Sequence, residues 1–132
     1  MQPTDACVLV VDDEEALRTF IHDKVSEIQG VKVVGCGSPK EAIRLCTNQR
    51  FSCILLDINL GEGTGEDVLQ HVRGNPQGFN YTTPVLAMSG HLSREVMERI
   101  SPLINGALVK PFQQHDLVDR IRTLVAPARP AA

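Results

Sequence analysis

Five short, almost wholly apolar runs punctuate the chain: Cys7–Val11, Val31 to Gly35, Cys53–Leu56, Val85–Met88 and Ala107–Val109. Runs of this kind show no polar alternation, so they cannot lie on a sheet with one wet face. They suit strands of a parallel sheet covered on both sides. The segments between them carry apolar residues at helical spacing. Leu17, Phe20, Ile21, Val25 and Ile28 form one such face, with Gly30 as its stop. Ser38-Pro39-Lys40-Glu41 reads as a helix start with a capping box, leading to Ala42, Ile43 and Cys46. Thr64 is placed to cap a helix bearing Val68, Leu69 and Val72, which Gly74-Asn75-Pro76 ends. A short helix from Ser93 to Ser101 turns Val96 and Ile100 inward and is stopped by Pro102. A last helix presents Leu117, Val118, Ile121, Leu124 and Val125. Strands alternating with helices predict an α/β domain whose right-handed crossovers put helices on both faces of the sheet.

The 132 residues suit a single domain, with a core of about 6–126 and a short Ala/Pro tail at 127–132. No repeat or linker divides them. A net charge of -3, one Tyr, four Phe and no Trp offer little of the charge or stacking surface used on nucleic acid, so direct nucleic-acid binding is not expected. No apolar run approaches the roughly 20 residues of a membrane span. The first residues carry no basic segment, and Asp12-Asp13 interrupt the first apolar run, unlike a signal peptide. The expected location is cytoplasmic. Cys7, Cys36, Cys46 and Cys53 include no C-x-x-C pair, and they read as small buried hydrophobes rather than disulfides or zinc ligands. His22, His71 and His115 read as solvated surface, His91 borders the candidate site, and Phe112 is expected in the core.

Ligands of open parallel sheets bind beyond the carboxyl ends of the strands. There the first run meets Asp12 and Asp13, the third Asp57, the fourth Ser89 and the fifth Lys110. Each alone is an ordinary strand end, but topology would gather all of them at one rim. Two carboxylates about 5 Å apart repel by roughly 3 kcal/mol at an effective dielectric near 20. Three acids facing one ammonium therefore raise a carboxyl pKa or take up a cation, and Mg2+ suits hard oxygen ligands. A phosphoryl group at Asp57 would then meet the metal, the Lys110 ammonium and the Ser89 hydroxyl. Asp57 is the natural nucleophile.

Val-Asp-Asp-Glu at 11–14, Leu-Leu-Asp-Ile-Asn at 55–59, Met-Ser-Gly at 88–90 and Val-Lys-Pro-Phe at 109–112 together resemble the receiver domain of two-component response regulators, the CheY-like superfamily. The resemblance runs from Val8 to about Val125. It implies a flavodoxin-like five-stranded sheet of order 2-1-3-4-5 and five helices. It implies a Mg2+-dependent phosphoacceptor that takes a phosphoryl group from a sensor histidine kinase, or a phosphotransfer protein, onto Asp57, and that is no enzyme beyond its own phosphorylation and dephosphorylation. Asp13, Asp57 and the main-chain carbonyl of Asn59 would hold the metal, with Asp12 acting through a water. Ser89 would move onto the phosphoryl oxygen, and the Lys110–Pro111 peptide would be cis. Docking, or homodimerisation, would use the face of the fourth helix, fifth strand and fifth helix.

Two departures stand out. Ala107 occupies the place where many relatives carry a switch aromatic, so either Ser89 shifts the fourth strand-to-helix loop by itself or His91 or Leu92 takes over part of the readout. Leu60-Gly61-Glu62-Gly63-Thr64-Gly65 replaces a proline-containing stretch, which predicts a more mobile loop. An aspartate-nucleophile phosphatase would need a second acid two residues after Asp57, where Asn59 stands. A binding module that had lost phosphorylation need not retain Asp12, Asp13, Asp57, Ser89 and Lys110 together.

Overall fold

A computed structural model describes residues 6–59, 64–91 and 93–125. Five strands, β1 (Ala6–Val11), β2 (Val31–Cys36), β3 (Cys53–Asp57), β4 (Val85–Ser89) and β5 (Gly106–Val109), alternate with five helices. These are α1 (Glu15–Ser26), α2 (Pro39–Asn48), α3 (Gly65–Arg73), α4 (Arg94–Ile100) and α5 (Gln114–Val125). All the strand pairs are parallel, in the order β2-β1-β3-β4-β5. The flavodoxin-like expectation is met. The chain reverses strand order on either side of β1 and β3, which leaves a crevice at their carboxyl ends.

Burial on both faces explains the unbroken apolar runs of β1, β3 and β4, whereas the edge strands β2 and β5 are only partly covered and Val109 is 66% exposed. Leu9, Val11, Ile54, Leu56, Val85 and Ala87 point to one side, where they pack with Ala42, Cys46, Val68, Leu69, Val72 and Ile100. Their neighbours Val8, Val10, Cys53, Leu55, Leu86 and Met88 point to the other, against Ile21, Val25, Leu117 and Ile121. Successive strand residues alternate faces, so each run feeds two cores at once. Away from the candidate site, buried Asn80 ties the loop before β4 to its surroundings. Its side chain accepts the Phe51 N–H at 2.8 Å and donates to the carbonyls of Cys46 and Gln49 at 2.9 and 2.8 Å.

Several local expectations need correction. Phe20 is 38% exposed rather than inward. Ile21 and Val25, one turn apart, hold the buried stripe, and Phe20 falls beside it, where its ring lies 5.9 Å from the Lys24 ammonium. Ser38 caps α2 by accepting the Glu41 N–H at 3.2 Å, but the Glu41 carboxylate lies 3.5 Å from Arg44, so the cap is a serine cap. The reciprocal box belongs to Thr64 and Asp67 at the start of α3. Pro102 ends the α-helical pattern without ending helical backbone. It sits in a 3-10 turn over Ser101–Leu103, where the first turn needs no N–H donor. The tail at 127–132 and the loop residues 60–63 lie outside the described residues, and with them the expected loop mobility. Leu92 does too.

The histidine expectation holds, and so does the cysteine one except at Cys7, which is half-buried; Phe112 is only partly in the core. Cys36, Cys46 and Cys53 are buried, and all four cysteines are free. Burial pushes the thiol of Cys36 up to about 11, and those of Cys46 and Cys53 up to about 12, so these are inert packing groups. His22, His71 and His115 are exposed. Phe112 is half-buried, one side against the second core and the other lining a shallow groove with Leu17, Phe20 and Pro111.

Candidate phosphoacceptor and metal site

Register places the polar strand ends at one level. Asp57 pairs with Met88 and Ser89 with Val109, while β1 ends at Val11 beside Leu56. Asp12, Asp57 and Lys110 therefore meet although 98 positions separate the first from the last. The Lys110 Nζ donates to Asp12 Oδ2 at 2.8 Å and to Asp57 Oδ2 at 3.0 Å. Its side chain is 22% exposed, while those of Asp12 and Asp57 are 0% and 5% exposed. Asp13 is exposed on the solvent side of the group. The Lys110–Pro111 peptide is cis, as the resemblance implied.

Main-chain donors complete the carboxylate cradle. The Glu14 N–H donates to Asp12 Oδ1 at 2.8 Å, and the Asn59 N–H to Asp57 Oδ1 at 2.9 Å. Burial raises the Asp57 pKa above the ordinary carboxyl value. The Asn59 N–H and Lys110 pull it the other way without overcoming the lost hydration, and the Asp12 charge adds to the rise. For Lys110, burial works against the ammonium, but its bonds to Asp12 and Asp57 outweigh that and raise its pKa. Asp57 is thus a poorly hydrated carboxylate facing a permanent cation, the electronic state a nucleophilic carboxylate needs.

Oxygen atoms from Asp12, Asp13 and Asp57 lie within 4.8 Å of one another. Three carboxylates, two of them buried, against one ammonium form an all-oxygen, electron-rich donor set with excess negative charge. That set fits a hard divalent cation such as Mg2+.

Four contacts lie beyond the sequence reading. Arg18 on α1 donates through Nη1 to the Asp12 carbonyl at 2.7 Å, pinning the β1 exit that carries both acids. The Gly65 N–H donates to the Ile58 carbonyl at 3.0 Å. A Cβ at Gly65 would overlap the Asp57 carbonyl oxygen and lie 2.8 Å from Ile58 Cα, so α3 begins where only glycine fits. A glycine at the start of a helix, where a side chain would ordinarily help, was the available clue to that close approach. The Asn59 side chain donates to Ser89 Oγ at 2.7 Å, and the Ser89 hydroxyl donates to the His91 carbonyl at 2.8 Å. No local signal marks an asparagine as the partner of a serine 30 positions away. Asn59 also stands where the phosphatase reading needs an acid. Ala107 is half-buried against the first core and brings no ring to the site.

A 2-1-3-4-5 parallel sheet with acids, a lysine and a hydroxyl gathered at its carboxyl rim defines the class of two-component signalling domains. Within that class the chain belongs to the response regulator receiver domain family, whose model matches residues 8–122. It is similar to the transcriptional regulatory protein SrrA of Staphylococcus aureus, with 28% identity over 121 residues covering 89% of this chain and 47% of that protein. The chain therefore spans about half the length of the curated relatives it matches. Among solved structures it is similar to the chemotaxis response regulator CheY4 of Vibrio cholerae. That match has 28% identity and a TM-score of 0.81, over 92% of this chain and 99% of the other. The Francisella response regulator 1452 receiver domain matches at 28% identity and a TM-score of 0.79, over 92% and 97% of the two chains. Members of the family are signalling phosphoacceptors rather than metabolic enzymes.

Proposed function

We propose that Asp57 is the phosphoacceptor and that the chain is a single receiver domain with a core of about 6–126. The observation that carries this reading is the pair of bonds from the Lys110 ammonium to buried Asp12 and Asp57 beside a third acid. In the reaction, an Asp57 carboxylate oxygen attacks the phosphorus of a phosphohistidine on a sensor kinase or phosphotransfer protein. The P–N bond breaks, its electron pair stays on the imidazole nitrogen, and that nitrogen takes a proton from solvent. The Lys110 ammonium transfers its attraction from the Asp57 carboxylate to a phosphoryl oxygen, and the Ser89 hydroxyl donates to another.

Asp13, Asp57 and the Asn59 main-chain carbonyl would hold Mg2+, with Asp12 acting through a water. When bound, the ion supplies positive charge that offsets both the carboxylates and the incoming phosphoryl oxygens. Asp12 and Arg18 keep the acids in place through the β1 exit. The output follows from a shift of the β4–α4 connection that alters the α4–β5–α5 face, which docks a protein partner or a second copy. Direct nucleic-acid contact is assigned to none of these elements. No described helix is long and apolar enough to cross a membrane, which accords with a cytoplasmic setting.

Incubation with acetyl phosphate and Mg2+, followed by intact mass, tests the reading. One added phosphoryl group is expected on the wild type and none when EDTA replaces the metal. An unchanged wild-type mass contradicts it.

A further inference from the structure

Ser89 Oγ is fully buried and has each of its hydrogen-bonding capacities in use. A hydroxyl has one proton to give and two lone pairs to offer. The proton goes to the His91 carbonyl at 2.8 Å, and the lone pairs take the His91 N–H at 3.1 Å and the Asn59 carboxamide at 2.7 Å. To donate to a phosphoryl oxygen on Asp57, the hydroxyl must let go of the His91 carbonyl. That carbonyl would then keep only the long 3.4 Å approach of Asn59 Nδ2. Asn59 touches both ends of the bond that has to break, from a position two residues after the phosphoacceptor.

We propose that the Asn59 side chain is the latch on Ser89, a positioning residue that sets how readily the β4–α4 connection leaves its resting conformation. This rests on Asp57 being the phosphoacceptor. In the resting state the carboxamide holds the hydroxyl toward His91. In the switched state that bond is given up, and the carboxamide keeps only its long 3.4 Å approach to the His91 carbonyl that Ser89 abandons. The short resting bond against the long alternative makes the latch favour the resting state. With alanine at 107 and no aromatic ring to gate the movement, this three-residue network is the restraint that the phosphoryl group has to overcome.

Fluoroberyllate, a phosphoryl mimic, is titrated with Mg2+ into wild type, Asn59→Ala, Ser89→Ala and the double variant, while the backbone amide signals of residues 89–91 are followed by NMR. Asn59 is exposed, and its truncation leaves the core intact. Asn59→Ala is expected to bind about fivefold more tightly than wild type, the weight of one net hydrogen bond. It is also expected to displace the His91 amide signal toward the bound position before any ligand or metal is added. In the Ser89→Ala background the same truncation is expected to change neither quantity. Equal or weaker binding by Asn59→Ala overturns the latch, as does the same gain in both serine backgrounds, which a purely structural role would give. Wild type that neither binds the mimic nor gains phosphoryl mass from acetyl phosphate overturns the phosphoacceptor reading instead.

Discussion

Asp57 pays in stability for its readiness to react: its carboxyl is nearly out of water beside a second buried acid, and burial raises its pKa from the ordinary 3.8. Above that raised pKa the fold holds a charge it disfavours; below it, the neutral carboxyl relieves the cost. Asp57→Asn is therefore expected to raise neutral-pH stability by about 1 kcal/mol, as substitutions at strained functional sites commonly do. The gain should shrink as pH falls through the raised pKa toward 3.8. Urea denaturation of both proteins from about pH 7 to about pH 4 measures it. A variant less stable than wild type at neutral pH would show that Lys110 more than compensates the buried charge. Asp57 was legible in the sequence because it stops an apolar run, and a buried strand that ends on an acid announces itself. The Asn59 carboxamide was not, since its partner is chosen by the spacing of β3 and β4 rather than by anything in the neighbouring residues.

At the level of elements, the helix faces and strand ends are written in local periodicity, and α3 and α5 lie as Val68, Leu69, Val72, Leu117 and Ile121 dictate. What periodicity cannot convey is how closely two backbones approach. The glycines at 61, 63 and 65 read alike as loop residues, yet Gly65 is fixed by contact with the backbone of Asp57 and Ile58. Helix propensity alone would favour Gly65→Ala by about 1 kcal/mol. The overlap is with main chain that cannot yield, and overpacking of that kind costs about 3 kcal/mol. The clash wins by about 2 kcal/mol, and Gly65→Ala is expected to lower the thermal midpoint by roughly 7 °C for a domain of this size. An unchanged or raised midpoint by differential scanning calorimetry would mean that α3 can slide away from β3. The edge of the α1 stripe shows the same limit, because Phe20 fits the helical spacing and still faces solvent.

For the whole molecule, the decisive fact is that the fold collects at one rim residues that the chain scatters: Asp12, Asp13, Asp57, Ser89 and Lys110. Their convergence was inferable because a parallel sheet with right-handed crossovers sends the carboxyl ends of all its strands the same way. The restraints around them, Arg18 on the Asp12 carbonyl and Asn59 on Ser89, depend on side-chain reach and emerge only from the three-dimensional arrangement. Locating the phosphoryl group tests this account most directly. After treatment with acetyl phosphate and Mg2+, borohydride reduces an aspartyl phosphate to homoserine, and peptide mass spectrometry then reads which position has changed. Homoserine at position 57 alone, absent without the metal, is the predicted outcome. Conversion at position 12 or 13, or none at all, would contradict it.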